Sequence, residues 1–159
     1  MKRVVVFGRG GSGKSTLCRR LGALTGLPVI ELDKVYWDES LNVLEPQEWH
    51  RRQTAVVQAD EWIIDGDLGP YDVTEPRLAR ADTVVIMDTP LVRCMWRALR
   101  RGRQRIDFWL WVIRWGRSYR PRILADMQRH APEAELVTLS SGKSVDDWLT
   151  RCGAHRGSR

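Results

Sequence analysis

Val4-Val5-Val6-Phe7-Gly8-Arg9-Gly10-Gly11-Ser12-Gly13-Lys14-Ser15-Thr16 decides how this chain is read. Val4–Phe7 is a β-branched and aromatic run closed by glycine, so Lys2–Phe7 is expected to form a short buried strand. Leu17, Leu21 and Leu24 recur at helical spacing, so Lys14–Leu24 is expected to be a helix, ended by Gly26 and Pro28. Between them, Gly8–Ser15 matches G-x-x-x-x-G-K-[ST] at every position.

A phosphate chain is gripped by inward-pointing backbone N–H groups, so side chains must be absent and φ must be free. Gly8, Gly10, Gly11 and Gly13, with Ser12 among them, meet that need. The helix start adds its positive dipole end and unpaired donors. Lys14 is expected to reach the β and γ phosphates of ATP, Ser15 to ligate Mg²⁺, and Thr16 to touch the α phosphate. A strand before the motif and a helix after it are the context in which the pattern means a phosphate loop.

Further strands are expected at Val29–Leu32, Trp62–Asp65, Thr83–Asp88 and Leu136–Leu139. Helices are expected at Pro46–Ala59, Pro90–Arg101, Pro121–Arg129 and Val145–Arg151. The strands are continuous apolar runs alternating with helices, the signature of an α/β protein with a parallel sheet covered on both faces. A length of 159 residues with 43% hydrophobic content fits one domain over 1–152, with 153–159 as a loose tail.

Three expected strands end in a carboxylate: Asp33, Asp65 and Asp88. Ligands of open α/β sheets sit beyond the carboxyl ends of strands. Asp33 is the preferred acceptor of a proton from a substrate hydroxyl, with Asp65 and Asp67 as competitors. Asp65 is also expected near the metal, with Ser15. Asp88-Thr89-Pro90 also reads as a helix entry. Tyr36 and Trp37 beside Asp33 suit the aromatic wall of an acceptor pocket, and Gly66 fits either a close approach of substrate or a plain turn.

Arg93, Arg97, Arg100 and Arg101 follow helical spacing, then Gly102, Arg103 and Arg105. Arginines neutralise a transferring phosphoryl group and are brought in by a closing lid. Arg101, Arg103 and Arg105 beside a Gly102 hinge fit such a lid, over about 101–118, whereas Arg93 is expected on a solvated face. Arg114, Arg117, Arg120 and Arg122 form a second cluster on its far side. Phe108, Trp109, Trp111 and Trp115 are expected to pack this segment onto the core; stacking on bases or lying on a lipid surface are the alternatives.

These residues together resemble the small adenylate-kinase-like P-loop proteins often labelled topology modulation proteins. The likeness runs through Gly8–Thr16, Leu32-Asp33 with Tyr36-Trp37, Trp62–Gly66, Asp82–Asp88 and Arg117–Leu124. It implies the nucleoside-monophosphate-kinase fold, a five-stranded parallel sheet ordered 2-3-1-4-5 with a mobile lid. It also implies Asp33 against the acceptor, Asp65-Gly66 near Mg²⁺ and acceptor, and lid arginines at Arg101–Arg105. Asp67 stands where relatives are expected to carry Asn, and no Gly-Phe-Pro-Arg follows the third strand, which argues against a plain adenylate kinase.

The expected partners are ATP and a small-molecule acceptor. A nucleic-acid-associated ATP-binding protein or polynucleotide end kinase is the alternative, because the net charge of +6 suits anionic partners. No run approaches the roughly 20 apolar residues of a membrane span, and Lys2-Arg3 precedes only four apolar residues, so neither a membrane partner nor a secretory leader is expected. Cys18, Cys94 and Cys152 are scattered and odd in number, which suits a reducing cytoplasm and no zinc site.

Overall fold

A computed structural model describes residues 1–36, 44–69, 72–100, 102 and 106–156. Five strands form one parallel sheet in the order β2-β3-β1-β4-β5, the order the resemblance implied. They are β1 (Arg3–Gly8), β2 (Val29–Glu31), β3 (Trp62–Asp65), β4 (Thr83–Met87) and β5 (Glu135–Leu139). Around them run α1 (Lys14–Thr25), α2 (Leu32–Tyr36), α3 (Pro46–Val56), α4 (Glu75–Leu78), α5 (Leu91–Arg100), α6 (Ile106–Arg114), α7 (Arg120–His130) and α8 (Gly142–Arg156). A π-helical turn, Trp115–Tyr119, joins α6 to α7.

The apolar runs of the central strands are explained by the two cores they serve. Successive strand side chains point to opposite faces. Val5, Phe7, Ile64, Val84 and Ile86 face one core, with Leu32, Trp49, Trp115 and Ile123 packed on them. Val4, Val6, Ile63, Val85 and Met87 face the other, with Leu17, Leu21, Leu139 and Trp148. A strand buried on both faces has no place for alternation. Edge strand β5 departs from this, since Glu135, Leu136 and Thr138 are exposed.

The punctuation residues act as expected. Gly26 closes α1 in the left-handed conformation, its N–H bonded to Gly22 O at 2.7 Å. Pro46 opens α3 at a position that needs no donor. Two elements run differently from expectation. Asp33 does not trail a strand but lies in the first turn of α2. The last helix starts at Gly142, where Ser141 and Ser144 bond each other's backbone, and continues to Arg156, into the stretch expected to be loose.

The register brings the functional ends together. Val6 pairs with Asp65, Gly8 with Met87, and Glu31 with Asp65. The phosphate-loop candidate, Asp33, Asp65 and Asp88 therefore all emerge at the carboxyl edge of the sheet.

Candidate functional site

The loop between β1 and α1 is shaped by what surrounds it as much as by what it would hold. A Cβ on Gly8 would stand 2.8 Å from the Met87 Cβ and 2.9 Å from the Ser12 Oγ. A Cβ on Gly10 would strike the Phe108 ring at 2.5 Å, with Trp111 at 3.1 Å. Gly11 has φ +79° and would meet the Cys94 carbonyl oxygen at 2.4 Å. Side chains are thus excluded from the loop on the side of β4, α5 and α6.

On the inner side the donors are free for a ligand. Gly13 caps α1 with no side-chain hydrogen bond, and no acidic residue occupies the first turn. The first N–H groups of α1 are therefore left to an anion. The Ser12 hydroxyl is buried without a partner. The Lys14 ammonium folds back and donates to Gly8 O at 2.6 Å, 5.8 Å from the centre of the Trp111 ring. Ser15 and Thr16 are exposed at the helix start. Phosphate oxygens would satisfy the amides and the orphaned hydroxyl, so these residues fit a nucleotide phosphate chain.

A cleft of about 220 Å³ opens beside the loop, lined by Gly13, Thr16, Arg93, Arg97, Ser141 and Val145 among others. Arg97 donates from Nη1 to Ser12 O at 3.3 Å, and Thr89 donates its hydroxyl to the same oxygen at 3.1 Å. Arg93 is exposed, as expected, and it also lines this cleft. Its i,i+4 spacing from Arg97 was the available signal: both extend from one side of α5, which begins two residues after Thr89.

The carboxylates differ in environment. Asp33 reaches solvent but sits amid enough protein that desolvation raises its pKa; Asp65 adds to the rise and Lys14 opposes it. Asp65 is buried at the end of β3 and accepts a hydrogen bond from the Cys18 thiol. Burial and the charge of Asp65 push that thiol's pKa well up, so Cys18 stays protonated. Asp67 is buried, and burial raises its pKa too. It accepts from the Trp115 indole N–H at 2.5 Å and from the Gly69 N–H at 2.9 Å. Asp88 pairs with Arg120 at 3.3 Å.

One expectation for the acceptor pocket changes, and another residue expected there has a packing role. Tyr36 is only 2% exposed and lies edge-on to Trp49 at 5.0 Å, so its ring belongs to the core and not to a pocket wall. Gly66 is required by packing, because a Cβ there would lie 2.7 Å from the Leu32 Cβ. That close approach of β3 to α2 sets Asp33 beside Asp65. Trp37, Arg101, Arg103 and Arg105 lie outside the described residues.

The aromatic segment packs inward as expected, but onto the loop itself. Phe108 and Trp111 cover Gly10, and Trp111 also crowds Gly69. Arg9 lies 5.5 Å from the centre of the Trp115 ring, and Gly116 leaves room for its guanidinium. Arg9, Phe108, Trp111 and Trp115 had no assigned place in the site. Only position-specific packing could have placed them, and composition does not carry that.

No protein-family model matches the chain, and no curated protein does. Solved structures do match. A sugar kinase from Janibacter sp. HTCC2649, unliganded, is 18% identical with a TM-score of 0.55, covering 98% of this chain and 92% of that one. Shikimate kinase from Acinetobacter baumannii in complex with shikimate is 16% identical with a TM-score of 0.58, covering 99% and 94%. Deoxyadenosine kinase from M. mycoides with bound dCTP is 12% identical with a TM-score of 0.53, covering 95% and 98%. The chain has the P-loop kinase fold. No helix among the described residues is long and apolar enough to cross a membrane.

Proposed function

We propose that this chain is an ATP–Mg²⁺-dependent phosphotransferase acting on a small-molecule acceptor, of the adenylate-kinase-like group that its sequence resembles. The observation that carries the reading is the phosphate loop: a buried, unpartnered Ser12 hydroxyl and an uncapped α1 N-terminus, with Lys14 resting on the loop's own carbonyl. Such a cradle leaves donors unsatisfied until an anion fills it. The neighbours named as kinases of sugar, shikimate and deoxyadenosine support the reaction class.

The residues divide the work as follows. Gly8–Thr16 hold the phosphate chain, and Lys14 leaves Gly8 O to meet it. Arg93 and Arg97 flank the cleft beside the loop, where a nucleoside would extend. Ser15 and, through water, Asp65 are the residues to hold magnesium, which would neutralise charge on the transferring phosphates. Asp33 orients the acceptor hydroxyl and takes its proton; its raised pKa makes it a stronger base than an ordinary carboxylate. Asp67 fixes Trp115 and hence the segment over the loop. Three free thiols suit a reducing cytoplasm as the place of action.

Calorimetry with ATP–Mg²⁺, followed by phosphotransfer assays over nucleosides, nucleotides, sugars and hydroxy acids, tests this. Binding and turnover are expected for the natural chain and loss of both for Lys14→Ala. Unchanged binding and turnover in Lys14→Ala would overturn the assignment.

A further inference from the structure

The net positive charge of this chain comes from one stretch. Residues 91–120 hold nine arginines and one acid, Asp107, for a net +8 against +6 for the whole chain, which leaves −2 elsewhere. The same stretch carries most of the exposed large apolar side chains. On α5 these are Val92 at 80%, Trp96 at 55% and Leu99 at 63% exposure; on α6 they are Ile106 at 79%, Leu110 at 46% and Ile113 at 48%. Each trio follows i, i+4, i+7, so each forms a stripe along one helix. The two helices pack against each other. Arg100 lies over the Trp96 ring at 4.4 Å, and Arg114 is exposed beside Ile113.

We propose that these exposed stripes of α5 and α6 dock on an anionic lipid surface. Exposed apolar stripes edged by arginine match what an anionic bilayer boundary offers: hydrocarbon beneath a layer of phosphates. Charge chooses this occupant over a second copy of the chain, because two such faces would set arginine against arginine. Side-chain shape chooses it over nucleic acid. Base stacking needs aromatic faces, yet Phe108 and Trp111 are turned onto the phosphate loop, and the outward residues are mostly aliphatic. Trp96, with an apolar body and a polar N–H, suits the boundary itself. The inference stands apart from the kinase reading, since it uses the outer face of α6 and not the inner one.

The test is co-sedimentation of the full chain with vesicles of phosphatidylcholine alone and of phosphatidylcholine mixed with phosphatidylglycerol. Binding is expected only to the mixed vesicles, and to weaken as salt rises. Leu110→Glu/Ile113→Glu and, separately, Val92→Glu/Leu99→Glu should each lower partitioning about tenfold or more. Unchanged circular dichroism and thermal melting would show that both variants fold. Absence of binding to mixed vesicles at low salt overturns the proposal, as does binding that either folded variant retains. So does a dimer in light scattering that the same substitutions dissolve, or DNA binding that they abolish while vesicles are ignored.

Discussion

Trp115 donates its indole N–H to the Asp67 carboxylate at 2.5 Å, bridging 48 residues of sequence and tying the segment above the phosphate loop to the end of β3. The bond also favours the ionised form of a buried carboxyl group whose pKa burial raises. Asp67 lies in protein that favours its neutral form, Asp72 adds repulsion, and Lys14, Trp115 and Gly69 oppose both. A carboxyl whose folded pKa lies above its unfolded value stabilises the native state most at low pH. That contribution is lost as pH rises from the ordinary carboxylate range to the native pKa. Trp115→Phe removes one opposing donor, so the loss should extend to higher pH. At neutral pH the variant should be about 1–3 kcal/mol less stable, from an unsatisfied buried acceptor. Urea unfolding at a series of pH values checks both; an unchanged curve of stability against pH would refute the role of the bond.

Arg77 offers a second test in the same region. It is fully buried and grips Asp72 through both terminal nitrogens, with Gln53 and the Val73 carbonyl as further acceptors and the Phe7 ring beneath it. Asp72 in turn accepts from the Leu68 N–H at 3.3 Å, so the pair braces the segment that follows Asp67. Arg77→Met leaves a buried carboxylate uncompensated and should cost about 3–5 kcal/mol. Arg77→Met/Asp72→Leu should recover much of that loss, because desolvation of two charges vanishes together. A double variant as unstable as the single one would show that hydrogen bonds to Gln53 and Leu68 matter more than the ion pair.

The strands and the glycine loop were legible because each rests on local pattern, apolar runs, glycine spacing, Lys14 and Ser15, whereas the order of the sheet came from the family resemblance. The carboxylates were proposed from the rule that sites lie beyond strand ends; they do lie at that edge, although Asp33 opens a helix. The rest depends on contacts between distant residues. Nothing local marks Gly66 as a partner of Leu32, or Gly10 as the seat of Phe108. Tyr36 was misplaced because an aromatic beside a catalytic carboxylate and one in the core look alike in sequence; only Trp49 on α3 distinguishes them. Arg93 was set aside because helical spacing tells which residues share a face, and not which face meets the cleft.

The glycines of the loop separate two kinds of demand. Gly13 has φ +102° but open space around it, the nearest atom to a new Cβ being the Arg97 Nη1 at 3.5 Å. Gly13→Ala therefore carries mainly backbone strain, about 1–2 kcal/mol. Gly11→Ala adds a collision with the Cys94 carbonyl at 2.4 Å, which only a shift of α5 relieves. Because α5 brings Arg97 to Ser12 O, that shift should also weaken nucleotide binding. Thermal melts and ATP titration should rank Gly11→Ala as the more damaging change in both. Equal losses would mean that α5 yields freely.

Asp33 makes the chemistry itself testable. Its pKa is raised first by desolvation, then by Asp65, Glu31 and Asp72, while Lys14 draws it down. Only the ionised form accepts a proton, so kcat/KM should climb with pH through a midpoint above that of an ordinary carboxylate. Asp33→Asn should cut turnover by about 10²–10⁴-fold and abolish that rising limb. Glu31→Gln gives the finer check. Glu31 lies on β2 and pairs with exposed Lys34 at 3.2 Å, and its charge bears on Asp33. Removing it takes away one raising influence, so the limb should move to lower pH while the plateau rate holds. A limb that stays in place in Glu31→Gln, or survives in Asp33→Asn, would mean that another group takes the proton.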